Sequence, residues 1–277
     1  MSRPVLTTTT SLQHRITVFA NDHIGDKIRR RGLYEKENLE FLNRILARMD
    51  KPVVLDIGAN IGNHSLAFAT QAAFVHAFEP LPEVFALLSR NIAQNRLSHV
   101  HAHNVALSDS TGDATMYMVR HGNVGASSFD RRHEDVEAVR VHKCIGDDYL
   151  KELKLGRLDL IKIDVEAHEA YVLGGLRQTL QAFLPYLTLE WNDPLTLERL
   201  GQSEILTFLQ AHYRFYVLGS NYDAGHWQGR PLAFLRRKFT RLFLPRRAVL
   251  LAFDPSRIYK NLLLVPHGKE SFLESVF

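Results

Sequence analysis

Two groups of acidic residues lie where the chain could use them for chemistry. The first is in VVLDIGANIGN (Val53–Asn63), where Asp56 sits near the end of an apolar run and Gly58, Asn60 and Gly62 lead into a helical pattern. Glycines at such a turn let the backbone pass close under a ligand, and the helix behind them offers free N–H groups. Glu79 closes the next apolar run, 17 residues past Gly62, where a carboxylate can accept both hydroxyls of a ribose. The second group is in LIKIDVEAHEAYVLGG (Leu160–Gly175), with Asp164 directly after an apolar run and Glu166 and Glu169 just beyond. Lys162 interrupts that run and needs a carboxylate partner. Glu169 reads as a first-turn helix acid favoured by the macrodipole.

The loop discriminates between cofactors. A dinucleotide calls for G-x-G-x-x-G to seat a pyrophosphate, whereas the third glycine position here is Asn63, and Asp56 would repel phosphate. A sulfonium cofactor with an amino-acid end carries no phosphate and some positive charge, so S-adenosylmethionine suits these acids better. A glycine-rich turn that merely packs is the structural alternative.

Positioning these residues requires an α/β framework. Apolar runs at Val53–Ile57, Ala73–Phe78, Val100–Leu107, Leu158–Ile163 and Tyr186–Trp191 read as buried strands. Between them fall helical patterns at Gly62–Thr70, Pro82–Asn95 and His168–Ala182, with two more upstream at Ile24–Arg31 and Glu35–Asp50. Such alternation implies parallel βαβ units covered on both faces, an open doubly wound sheet. Tyr213–Leu218 and Asn261–Val265 read as a closing antiparallel pair. ATMYMV (Ala114–Val119) and VRVHKCI (Val139–Ile145) read as an extra hairpin flanking a polar loop.

Composition narrows the function classes. The 277 residues are 45% hydrophobic and 23% charged, a globular balance that excludes disorder and collagen. The single cysteine, Cys144, permits neither an intrachain disulfide nor a cysteine zinc site. The longest stretch without Asp, Glu, Lys or Arg, Ile57–Phe78, has 22 residues but is broken by Asn60, Asn63, His64, Gln71 and His76, so it is no membrane span. The first residues lack the charged-then-apolar layout of a secretory signal, and a cytoplasmic protein is expected. The net charge of +4 is local: residues 224–253 hold seven basic residues and no acid. Without them the chain is slightly acidic, which argues against a general nucleic-acid surface. Within that insertion LRRKFTRLFLPRR interleaves apolar and basic residues, as a membrane-peripheral element or an attractor of anionic substrate would; a solvated basic helix is the plain alternative.

VVLDIGANIGN, FEP (Phe78–Pro80), NVALSDSTG (Asn104–Gly112) and above all IKIDVEAHEAYVLGG resemble the FkbM-type S-adenosylmethionine-dependent methyltransferases. With GLYEKE (Gly32–Glu37), where the family has Gly-x-Tyr-Glu, the resemblance covers roughly Asp22–Asn192. It implies a Rossmann-like methyltransferase sheet and O-methylation of a hydroxyl on a sugar, glycan or secondary metabolite. Residues 1–50 would form an N-terminal helical lid and 51–277 a class I methyltransferase domain. By position, Asp56, Gly58, Asn60, Gly62 and Glu79 would hold the cofactor, with Asp109 near its adenine and Asp164 between cofactor and substrate. Ala167 departs from the family, which usually has glycine there.

Methyl transfer to an alcohol needs in-line alignment and removal of a proton. Asp164 or His168 is the expected base. Tyr34, Glu35, Ser127, Glu190 and Asn192 are the expected substrate-side residues, and the loop Gly122–Asp135 is expected to set acceptor choice. A metal-assisted variant would place Mg²⁺ on Asp164, Glu190 and Asn192, all at strand ends. Two readings from other classes stand beside this one: a catalytically silent cofactor-binding module that recruits a partner or membrane through the basic segment, and an RNA methyltransferase. The asparagine-proline-proline-aromatic signature of amino-group methylation is absent, which counts against the latter.

Overall fold

The computed structural model describes residues 3–220, 248–254 and 257–274. The chain opens with an antiparallel hairpin, β1 (Val5–Thr9) and β2 (Arg15–Phe19), followed by α1 (His23–Arg31) and α2 (Lys36–Leu46). Alternation then begins with β3 (Val53–Ile57), α3 (Asn63–Phe68), β4 (Phe74–Phe78), α4 (Pro82–Gln94) and β5 (Val100–His103). Three short-range strands follow, β6 (Ala106–Ser108), β7 (Gly112–Val119) and β8 (Val136–Ile145), and then α5 (Gly146–Leu153) and β9 (Leu160–Ile163). The rest comprises α6 (Glu169–Gly175), α7 (Arg177–Phe183), β10 (Tyr186–Trp191), α8 (Pro194–Gly201), α9 (Glu204–His212), β11 (Tyr213–Ser220), β12 (Ala248–Ala252), β13 (Tyr259–Pro266) and α10 (Glu270–Glu274).

The main sheet has the order β12-β11-β13-β10-β9-β3-β4-β5. From β10 to β5 every neighbour is parallel, whereas β13 joins β10 antiparallel and pairs with β11 in the same sense. The anticipated closing pair is therefore present, and β12, from the end of the basic insertion, adds an edge strand to it. Residues 224–247, with LRRKFTRLFLPRR, lie outside the described residues. Among the described residues no helix is long and apolar enough to cross a membrane.

All five residues of β3 are buried because the sheet is covered on both faces. Leu55 and Ile57 pack with Val172 and Leu176 on one side, while Val54 packs with Phe41, Leu42 and Phe68 on the other. Strand order reverses direction between β3 and β9, so the loops after those strands diverge and leave a crevice at their carboxyl ends.

Three features differ from the sequence reading. Val100–Leu107 is not one strand, because Asn104 turns aside to donate its side-chain amide to the carbonyls of Glu79 (2.8 Å) and Pro80 (3.0 Å). β5 thus ends in the main sheet, and β6 joins β8 and β7 in a three-stranded sheet over its edge. The helix over 168–182 is broken at Leu176. Gly175 lies so close to β6 that a Cβ there would sit 1.8 Å from the Ser108 carbonyl oxygen, which lets α6 press directly onto that strand. The third is the hairpin that precedes the two N-terminal helices. Its anchor is buried Asn91 on α4, which accepts from the Thr17 amide (2.7 Å) and donates to the carbonyls of Thr17 (2.9 Å) and Ile61 (2.7 Å).

Candidate functional site

A cleft of about 1020 Å³, counting its open mouth, occupies the crevice at the carboxyl ends of β3, β4, β9 and β10. Its floor is the turn after β3. Gly58 has φ +77°, in the left-handed region, and a Cβ there would fall 1.8 Å from the Asp164 carbonyl oxygen. The two loops touch backbone to backbone, which only glycine permits. The amides of Gly58 and Ala59 donate to the Phe78 carbonyl at 3.0 and 2.9 Å, fixing the turn to β4.

Glu79 forms one wall. Its carboxylate accepts the amides of Asn60 (3.0 Å) and Leu81 (2.9 Å), which orient it toward the cleft. Burial pushes its pKa up to about 7, against the pull of those two amides and of Lys162. Asn60 and Gly58 line the cleft with it, and Val105, Ala106 and Leu107 make an apolar wall beyond. Gly62 has φ +93° and caps α3.

Asp56 is not in the cleft. It is fully buried beneath it, accepting the Ser65 hydroxyl at 2.6 Å and paired with Lys162 at 3.2 Å. Lys162 thereby finds the partner its position demanded, and a second in Asp164 at 3.4 Å, while donating to the Gly58 carbonyl at 3.1 Å. Burial pulls the Lys162 pKa down, but Asp56 and Asp164 outweigh it and hold the ammonium charged. This lysine is an internal strut that joins both acidic groups and the glycine turn.

Around Asp164 the structure gathers Glu166 and Glu190, with one oxygen from each within 4.8 Å of the others. Burial, then Asp164 and Glu169, push Glu166 up to about 8. Burial, then Asp164 and Glu166, push Glu190 well above the carboxylate range. Glu166 and Ala167 both have positive φ, 51° and 72°, which swings Glu166 into the cleft. The positive φ at Ala167 is a backbone conformation that glycine adopts without the penalty of a Cβ.

These groups set a pH dependence. An acid whose folded pKa is raised stabilises the fold while protonated, and that stability is lost as pH climbs above its unfolded value near 4.5. Glu190→Gln keeps the shape and lacks the ionisation, so its stability relative to wild type should rise from pH 5 to pH 8. Urea midpoints at the two pH values measure this, and a constant difference would contradict it.

Other expected site residues are placed as follows. Asn192 is exposed and donates to Glu190 at 3.3 Å, so the acids brought together are Asp164, Glu166 and Glu190 rather than the expected metal trio. Asp109 does not line the cleft; it accepts the hydroxyls of Ser108 and Ser110 at 3.3 and 3.2 Å. His168 borders the cleft but is held by the Ser108 hydroxyl at 3.0 Å and packed between the rings of Phe129 and Tyr171. Burial, aided by Lys143, lowers its pKa to about 4, so the imidazole is neutral and a weak base. Glu169 accepts the Thr196 hydroxyl at 2.7 Å in the first turn of α6, a structural acid as read from sequence.

Ser127 fastens the covering loop, donating to the Val124 carbonyl (2.6 Å) and accepting the Val119 amide (3.1 Å). That loop is pinned at both ends. Asp22 accepts the amides of Val124 (2.9 Å) and Gly25 (3.1 Å), and Ser128 donates to the Glu166 carbonyl at 2.8 Å. Tyr34 lines the cleft, clamped by two hydrogen bonds of 3.1 Å between its backbone and the Asn63 amide group. Glu35 lies just behind, 3.5 Å from His64 and 2.5 Å from Lys260. Burial pushes its pKa up, but His64 and Lys260 prevail and hold it far below the carboxylate range. His64 and Lys260 escaped the sequence reading, since nothing local marks residues that meet across β13 and α3.

The sheet order and the cleft define the Rossmann-like methyltransferase architecture. The chain belongs to the Methyltransferase FkbM domain family, whose sequence model matches residues 56–216. It is 29% identical over 202 residues to AMB antimetabolite synthetase AmbE of Pseudomonas aeruginosa, covering 60% of this chain and 10% of that protein. It is 29% identical over 130 residues to hexuronic acid methyltransferase AglP of Haloferax volcanii, covering 47% of this chain and 52% of that one. With 2-O-methyltransferase NoeI of Sinorhizobium fredii the identity is 29% over 189 residues, covering 61% and 73%. The chain thus spans a tenth of AmbE and about half of AglP.

Proposed function

We propose that the protein is an S-adenosylmethionine-dependent O-methyltransferase acting on a hydroxyl of a sugar, glycan or other metabolite. The observation that carries this reading is the cleft itself: a glycine turn in contact with the Asp164 backbone, an amide-oriented Glu79 carboxylate, and three acids facing the same space. The printed name of NoeI, a 2-O-methyltransferase, favours a hydroxyl acceptor, and that of AglP, a hexuronic acid methyltransferase, favours a sugar.

The residues present fit such a cofactor. Glu79 would accept the ribose hydroxyls, Val105–Leu107 would cover the adenine, and the turn at Gly58 would pass beneath the amino-acid end. The Asp164 carboxylate in the lining suits a cation and would repel a pyrophosphate. When bound, the cofactor supplies an electrophilic methyl group on sulfur. The loop fastened by Asp22 and Ser128 covers the cleft and limits water.

Asp164 is the base. Glu166 and Glu190 retain their protons near neutral pH, and His168 is too weak a base and already occupied by Ser108. Asp164 is the remaining carboxylate, and its side chain is 27% exposed, so an acceptor hydroxyl can reach it. Asp164→Asn should reduce turnover by a factor of roughly 10²–10⁴ with cofactor affinity little changed. Transfer of labelled methyl from S-adenosylmethionine to uronic acids and neutral sugars, read by mass spectrometry as an ether-linked methyl, tests the function. Transfer to nitrogen, or near-full turnover by the variant, would overturn the corresponding part.

A further inference from the structure

A second groove opens on the other side of Tyr34. It encloses about 860 Å³, counting its mouth, and Tyr34 is the wall it shares with the cleft. Its cations are unequally engaged. Arg31 is ion-paired with Glu37, and Lys260 is neutralised by Glu35 at 2.5 Å while lying 3.5 Å from the Tyr34 hydroxyl. Off the groove, Arg29 and Arg30 share Asp26 at 3.4 and 3.9 Å. Lys27, alone of the four cations on α1, has no acidic partner among the described residues. It is exposed, and it lines the groove one turn after His23, whose ring meets Tyr34 edge-on at 6.2 Å.

The two sides of Tyr34 therefore differ in sign. The cleft side holds the Asp164 carboxylate, and the groove side holds an ammonium with no acidic partner among the described residues and an imidazole beside it. A molecule carrying a negative group and a hydroxyl is favoured across Tyr34 in one direction, with its anion on the groove side, away from the Asp164 carboxylate.

We propose that the groove is the acceptor's docking site and that the acceptor is anionic, its carboxylate or phosphate seated on Lys27 and His23 and its reacting hydroxyl passing Tyr34 into the cleft. The inference rests on the methyl-transfer reading and gives it a substrate class. Lys27 sets specificity and takes no part in the reaction.

The test is an NMR titration of the protein, with and without S-adenosylhomocysteine, using D-glucuronate, D-glucose 6-phosphate and D-glucose at low ionic strength. At least one anionic sugar should bind about tenfold more tightly than glucose, the scale of one charge-assisted hydrogen bond. Which of the two does so tells carboxylate from phosphate. Lys27→Glu should abolish that preference, and Arg30→Glu, on the same helix but off the groove, should leave it unchanged. If neither anion outbinds glucose, or if Lys27→Glu keeps the preference, the proposal is wrong. Failure of the wild type to bind S-adenosylhomocysteine would instead overturn the methyl-transfer reading, and the cofactor-free titration separates the two outcomes.

Discussion

Replacing Lys162 with methionine is expected to destabilise the fold by about 3–5 kcal/mol, because removal of one partner strands a buried charge. Asp56 is fully buried, and once Lys162 is gone its carboxylate keeps only the Ser65 hydroxyl. Methionine fills the same stem volume, so the loss is electrostatic rather than a cavity. Lys162 also donates to the Gly58 carbonyl and faces Asp164, and the variant should loosen the turn that floors the cleft. The double change Asp56→Asn with Lys162→Met removes both charges and should recover much of the stability. Urea denaturation measures each variant. A loss below about 1 kcal/mol for the single change would mean that the pair is not the strut described.

Gly58→Ala is expected to cost about as much and to abolish cofactor binding as well. Two penalties combine: left-handed backbone at φ +77°, worth about 1–2 kcal/mol for a residue with a Cβ, and a collision 1.8 Å from the Asp164 carbonyl oxygen. The second cannot be relieved by a rotamer, since the position of Cβ is set by the backbone and the atom it meets is a backbone oxygen; the loops after β3 and β9 must separate. Gly122→Ala isolates the first penalty, because Gly122 also has positive φ, +88°, with nothing within 4 Å of its notional Cβ. It should cost only about 1 kcal/mol. Equal losses at the two positions would show that close approach of the loops is not what Gly58 provides.

The fold was legible where local pattern and tertiary role coincide. Tyr186–Trp191 is a strand to the residue, because a continuous apolar run between turn signals has one buried solution. The strand, glycine turn and helix over Val53–Asn63 were likewise readable. Val100–Leu107 looked continuous because the cause of its break, Asn104 bonding to carbonyls after β4, is a tertiary contact. The hairpin was hidden by its threonine run, whose polarity reads as loop until Asn91 fixes it from α4.

In the site, strand-end position found Glu79, Asp164 and Glu190 but could not tell which acids face the cleft. Asp56 lies inside β3, one residue short of its end, whereas Glu79 follows β4, and the Asp56 side chain points into the body of the protein, where Lys162 lies opposite it. Glu166 reaches the cleft through two consecutive left-handed residues, a conformation that the helical look of VEAHEA conceals. Lys27 and Lys260 gain meaning only from the partners they have or lack across the fold.

The central claim is that the cleft holds S-adenosylmethionine by the glycine turn and Glu79. Calorimetric titration with S-adenosylhomocysteine tests it most directly. The wild type should bind one equivalent saturably, and Glu79→Ala should bind roughly a hundredfold more weakly, the scale of two hydrogen bonds to a carboxylate. Absence of binding to the folded wild type, or equal affinity in the variant, would contradict the account.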